Sequence, residues 1–197
     1  MKTIVLCFAV LSFFSFTFKV AAQKQPLVVA NFDSGKKPNN LGEDFGTWDG
    51  FRTDLTQSCT IAFATEDALA KNGGRSLQLD YDVDSPNPAY NGFWMKITQA
   101  EVLDSDTLSF YVRGDSQKGF TTRVKIELKD KKGGKASFLV ENITDKWQKI
   151  ELTLDPRSKG KDQKKPFEEF VIVFDDVNSR PKTGRLLIDQ IEFAKSL

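Results

Sequence analysis

Thr107-Leu108-Ser109-Phe110-Tyr111-Val112-Arg113 alternates inward and outward side chains at every step. After a break, Thr122-Arg123-Val124-Lys125-Ile126-Glu127-Leu128-Lys129 does the same. A period of two marks an extended strand with one face on a core. The residues between them, Asp115 to Gly119, carry turn chemistry. Outward in both directions the period recurs in Leu27–Phe32, Ser58–Thr65, Ser76–Val83, Gly92–Thr98, Ala136–Asn142, Trp147–Leu154, Glu169–Phe174 and Arg185–Phe193. Turn signals separate these runs: Asn72-Gly73-Gly74, Ser85-Pro86-Asn87-Pro88, Lys132-Gly133-Gly134, Asp155-Pro156 and Ser179-Arg180-Pro181. About ten short strands at this spacing predict an all-β fold, a two-sheet antiparallel β-sandwich of jelly-roll type. No helical period is sustained; Glu66 to Lys71 has room for one turn, and Lys159 to Lys165 reads as a solvated loop.

The N-terminus has a different character. Lys2 precedes the apolar run Ile4 to Phe18, and Val20-Ala21-Ala22 places small residues at a cleavage position. The run is shorter than a spanning helix needs and has the flanks of a secretory signal. Residues 1–22 are therefore expected to be a signal peptide, and residues 23–197 a single sandwich domain exported to the periplasm or beyond. No second hydrophobic segment follows, so no membrane insertion is expected after cleavage.

Composition narrows the chemistry. Removing Lys2 and Lys19 from 28 basic residues leaves 26 against 27 acidic, a net charge of −1. That balance excludes the basic face a nucleic-acid partner needs. Of the two cysteines, Cys7 leaves with the signal, and Cys59 lies in the strand-like Ser58-Cys59-Thr60-Ile61-Ala62-Phe63, where a buried structural thiol is expected. The chain has no histidine, which removes Ser-His and Cys-His catalysis and histidine-ligated zinc.

Alternation also assigns faces. Val124, Ile126 and Leu128 share one side of their strand; Arg123, Lys125, Glu127 and Lys129 share the other. Phe93, Met95 and Ile97 oppose Trp94 and Lys96, while Leu108, Phe110 and Val112 oppose Ser109, Tyr111 and Arg113. If these strands are neighbours, one open sheet face presents Trp94, Tyr111, Arg113, Arg123 and Glu127 together. Such a face fits a sugar site, where a pyranose stacks on an aromatic ring and charged groups bind its hydroxyls. It equally fits a solvated face with cross-strand ion pairs such as Arg123 to Glu127. Trp48 and Tyr90 are further ligand-binding candidates. Trp48 ends a glycine-containing loop from Asn40 and sits either at a sheet rim or as a lid on the core. Trp147 begins a strand and is expected in the core.

An ordered set of motifs spans Val28 to Phe193. It comprises Asn31-Phe32-Asp33-Ser34-Gly35, Asn39 to Trp48, Gly74 to Val83, Tyr90-Asn91-Gly92-Phe93-Trp94, Asp106 to Asp115, Thr144 to Lys149, and Leu187-Ile188-Asp189-Gln190-Ile191-Glu192-Phe193. In this order they resemble the galactose-binding-like jelly rolls of non-catalytic carbohydrate-binding modules. The related complex I intermediate-associated protein domain is similar in plan. The resemblance implies a structural Ca²⁺ held at the matching positions Asp33, Asn72 in the loop to Arg75, and Asp189. Oxygen ligands of this kind suit calcium. Gln190 stands where an acidic residue often follows, so the usual second carboxylate is missing.

A catalytic reading has only carboxylates to use. Glu127 with Glu169, or Asp175 with Asp176, are the available pairs, and no spacing selects either. The expected function is a monomeric, non-catalytic binder of a polysaccharide or oligosaccharide. The alternative is a protein-interaction or assembly-factor domain on the same fold.

Overall fold

Eleven strands form in the computed structural model, which describes residues 25–65, 69, 74–98, 102, 105–154 and 167–195. The expected signal peptide, Asn72, the Glu66 to Lys71 turn (apart from Leu69) and the Lys159 to Lys165 loop lie outside the described residues. The strands are β1 (Leu27–Ala30), β2 (Phe45–Asp49), β3 (Ser58–Ala64), β4 (Ser76–Asp82), β5 (Tyr90–Lys96), β6 (Thr107–Gly114), β7 (Val124–Asp130), β8 (Lys135–Val140), β9 (Gln148–Thr153), β10 (Phe167–Asp175) and β11 (Thr183–Ala194). Ten of these are the runs read from alternation. The eleventh, β2, falls in the stretch expected to be a loop. Its glycine and its outward tryptophan invert the usual apolar-in, polar-out pattern.

Two antiparallel sheets face each other. The first runs β3-β4-β11-β6-β9, with β1 also paired to β11; the second runs β2-β5-β10-β7-β8. Their inner faces meet in a dry core that includes Phe45, Phe93, Phe110, Phe170, Phe174, Phe193, Leu77, Leu79 and Ile126, all 1 % exposed or less. Aromatic rings lock the layers: Tyr81 stacks on Phe174 at 4.2 Å, and Phe110 meets Phe170 edge-on at 6.0 Å. Every inward side chain predicted for β5, β6 and β7 is in this core. Cys59 is buried there too, and its thiol is pushed up by that burial, which makes it a packing residue. Trp147 is not a core residue. It lies half-buried on the surface, with the Arg113 guanidinium 5.7 Å above its ring.

The long strand β11 does two jobs. Residues Thr183 to Ile188 pair with β4, and Ile191 to Phe193 pair with β1, while β6 runs along the opposite edge. The ladder breaks between Asp189 and Glu192, where Gln190 adopts φ 49°. Asp189 thus sits at the fork where β1 and β4 part. Among the described residues, no helix is long and apolar enough to cross a membrane.

Candidate functional site

The outer face of the second sheet carries a groove, and its seat is set by two short, reciprocal strands. On β2 the outward residues are Gly46 and Trp48, with Gly50 just beyond; on β5 they are Tyr90, Gly92 and Trp94. The register pairs Gly46 with Trp94 and Trp48 with Gly92, and Gly50 N–H donates to the Tyr90 carbonyl. Each ring therefore faces a glycine. A Cβ on Gly46 would stand 3.3 Å from the Trp94 indole nitrogen, and one on Gly50 would stand 2.4 Å from the Tyr90 ring. A Cβ on Gly92 would lie 3.3 Å from the Trp48 nitrogen and 1.9 Å from the Ile172 carbonyl oxygen. Without side chains opposite, the rings lie low over the strands. Trp48 and Tyr90 pack at 5.8 Å, and Phe51 continues the series at 5.6 Å from Tyr90.

The other wall is charged. The groove, of about 590 Å³, is lined by Trp48 and Tyr90 on one side and by Lys125, Glu127, Lys129, Lys135 and Asp175 on the other. A smaller hollow of about 240 Å³ continues past Trp48 to Trp94, Lys96 and Glu169. Ion pairs organise this wall. Lys135 Nζ is 2.9 Å and Lys129 Nζ 3.7 Å from the Glu127 carboxylate, Lys125 Nζ is 3.1 Å from Asp175, and Lys96 Nζ is 2.7 Å from Glu169. The Lys129 ammonium also stands 5.7 Å from the centre of the Trp48 ring. Asp175 is shaped by its surroundings. Burial pushes its carboxyl up, but the Asn178 amide and backbone N–H and the Lys125 ammonium outweigh burial and hold it below the usual carboxylate range. An acid so held has no proton to donate near neutral pH.

The structure sorts the predicted ligand-binding residues into two groups. Trp48, Tyr90, Trp94 and Glu127 belong to one face: Trp94 and Glu127 flank Val171 of β10 in a single lateral row. Tyr111 and Arg113 do not join them. Both lie on β6, between β11 and β9 in the other sheet, so the composite face expected from alternation is split across the sandwich. Alternation states which way a side chain points from its strand, and it carries no information on which sheet that strand joins. Arg123 lies just before β7 and pairs with Glu141 at 2.9 Å, so the expected Arg123 to Glu127 pair does not form. Glu127 is taken instead by Lys135 and Lys129. The groove lysines were not among the expected ligand-binding residues, and Asp175 entered only as half of a carboxylate pair with Asp176. The signal for two of them was present, since Lys125 and Lys129 share a strand face with Glu127.

The candidate metal residues Asp33 and Asp189 come together at the β11 fork. Asp189 is 3 % exposed, and its carboxylate accepts the backbone N–H groups of Gln190 at 2.7 Å and Leu69 at 3.3 Å. Burial raises its carboxyl to about 6, with the nearby Asp33 charge adding to the rise. Asp33 accepts the Arg75 N–H at 3.1 Å. Phe32 and Gln190, the neighbours of these two acids in sequence, both hold left-handed backbone angles that are costly for side chains of their size. Asn72 lies outside the described residues. Among the described residues no group of three acidic, cysteine or histidine side chains is placed to share a metal. The two carboxylates are the hard oxygen donors that suit a cation such as calcium, and both already accept backbone N–H groups.

No family model and no curated protein sequence matches the chain. Solved structures do match. A family 11 carbohydrate-binding module of a cellulosomal cellulase from Clostridium thermocellum superposes with a TM-score of 0.60 at 14% identity, over 88% of this chain and 96% of that one. The two share the fold, a two-sheet β-sandwich jelly roll. A family 11 module from the same organism, in complex with a β-1,3-1,4-mixed-linked tetrasaccharide, matches with a TM-score of 0.51 at 16% identity, over 78% and 89% of the two chains. An exo-β-agarase matches with a TM-score of 0.57 at 14% identity, over 86% of this chain but 25% of the enzyme. The matched region is nearly the whole of the first solved module and about a quarter of the agarase.

Proposed function

We propose that this chain is an exported, non-catalytic carbohydrate-binding protein that holds a glycan in the groove of the second sheet. The observation that carries the reading is the aromatic edge: Trp48, Tyr90 and Trp94 seated over glycines and faced across the groove by hydrogen-bonding lysines and acids. A pyranose laid on Trp48 buries its C–H face against the ring, while its hydroxyls reach the charged wall. Glu127, Glu169 and Asp175 are each paired with lysines, an arrangement that suits holding a ligand in place. A calcium ion held by Asp33 and Asp189 would brace β1 and β11 at their fork, a useful role in a domain whose remaining cysteine is buried and free.

Affinity electrophoresis through gels containing single polysaccharides tests the proposal. Trp48→Ala should weaken retention at least tenfold, whereas Tyr111→Ala, on the opposite sheet, should leave it unchanged. Absence of retention on every polysaccharide tried, or equal retention of the Trp48→Ala variant, would refute it. The protein-interaction reading draws on Leu55 and Val177, which are 93 % and 75 % exposed, the latter at the groove rim. It predicts instead one stoichiometric protein partner whose capture sugar does not affect.

A further inference from the structure

The acids of the groove are buried and its bases are exposed. Glu127 and Asp175 side chains retain 8% and 12% of their surface, whereas Lys125, Lys129 and Lys135 retain 34%, 36% and 56%. The carboxylates are spent on internal bonds. Asp175 accepts N–H groups from Val177, from Asn178 backbone and from Asn178 side chain, as well as Lys125. Glu127 alone serves two ammonium groups. Lys129 and Lys135 share the one carboxylate of Glu127, which leaves a local surplus of positive charge beside Trp48. Asp176 also lines the groove and brings its lining acids to three against three lysines, so the surplus is local to Lys129 and Lys135 and does not extend over the whole lining. In the adjoining hollow Lys96 and Glu169 balance each other.

The placement of that charge matters more than its sum. Lys129 stands 5.7 Å from the centre of the Trp48 ring and Lys135 shares Glu127 with it. A sugar that takes the Trp48 ring face shares it with the Lys129 ammonium and so comes within reach of the two lysines that hold Glu127. A hydroxyl bonded to an ammonium is charge-assisted on one side only, whereas a carboxylate or sulfate adds the attraction of a full opposite charge. Resting on the carbohydrate-binding reading above, we propose that the groove selects a glycan whose pyranose units carry an acidic group, carboxylate or sulfate.

The test measures binding of the full chain to polygalacturonate, alginate and dextran sulfate. It runs beside carboxyl-reduced polygalacturonate, dextran, xylan and mixed-linkage glucan as neutral polymers, and polyglutamate as an acidic polymer without sugar. Acidic glycans should bind in 50 mM salt and weaken several-fold in 500 mM, since exposed charges are screened. Comparing the uronates with dextran sulfate tells carboxylate from sulfate. Lys135→Gln, which leaves Glu127 paired with Lys129, should lower affinity about threefold, and Lys129→Gln with Lys135→Gln about tenfold. Trp48→Ala should abolish binding, and polyglutamate should not be retained. Equal affinity for polygalacturonate and its carboxyl-reduced form, or retention of polyglutamate, overturns the selection for acidic sugars and leaves carbohydrate binding standing. No retention on any polysaccharide, acidic or neutral, overturns both.

Discussion

Gly92→Ala should unfold the site from below. The added Cβ would lie 1.9 Å from the Ile172 carbonyl oxygen, on the strand that carries the centre of the second sheet. Ordinary contact needs well over 3 Å, so β5 and β10 must separate locally by more than an ångström. Overpacking of this kind costs about 1–3 kcal/mol, and the loss of one or two ladder hydrogen bonds adds about 0.5–1.5 kcal/mol each. A total of roughly 1.5–6 kcal/mol corresponds to a fall in melting temperature of roughly 3–20 °C for a domain of this size. The same methyl would press on Trp48, 3.3 Å away, and lift the ring from its seat. Gly46→Ala is the matched control. The atoms nearest its Cβ belong to the Trp94 side chain, at 3.3 Å, and a partly exposed ring can give by the few tenths of an ångström required. That change should cost less than about 1 kcal/mol, offset in part by the smaller entropy of the unfolded chain. Thermal and urea unfolding followed by circular dichroism would measure both variants. Equal stability of the two, within about 0.5 kcal/mol, would refute the argument that Gly92 is required by the close approach of β10.

Chelation should lower the melting temperature if Asp33 and Asp189 hold calcium, and Asp189→Asn should remove the difference between melts with and without chelator; identical melts of the native chain in both conditions would dismiss the ion. Asp175→Asn should destabilise the protein at pH 7 by about 1–3 kcal/mol, because Asn178 and Lys125 lose their ionised partner. The sign follows from the depressed carboxyl of Asp175: its stabilisation is present above the ordinary carboxylate range and is lost as pH falls through its lower, folded value. The gap between native and variant should therefore narrow in strong acid, and a gap that stays constant down to pH 2 would contradict the role given to Asp175.

Much of the site was written in local pattern, and the rest depended on distant partners. Trp94 and Glu127 point outward as alternation predicts, and Trp48 and Tyr90, raised as separate candidates, lie on the same sheet face. The reciprocal spacing of Gly46-x-Trp48-x-Gly50 against Tyr90-x-Gly92-x-Trp94 is visible in the chain, but it acquires meaning only once β2 is known to pair with β5. Lys135 and Asp175 could not have been gathered with Glu127 from spacing, since β8 and β10 reach β7 from opposite sides. Trp147 misled for a related reason. It is large and apolar at a strand entrance, yet a guanidinium from β6 covers it and leaves it at the surface.

What the sequence alone determined was the number of alternating segments, the direction of each side chain from its own strand, and the apolar faces that had to be buried. These follow from a period of two that each residue sets with its immediate neighbours. Which sheet each strand entered was decided only in the tertiary structure. That choice depends on pairing between segments far apart in the chain, and on which apolar faces close against each other around one core. It is the choice that sent Tyr111 and Arg113 to one side of the sandwich and left the tryptophans facing lysines on the other.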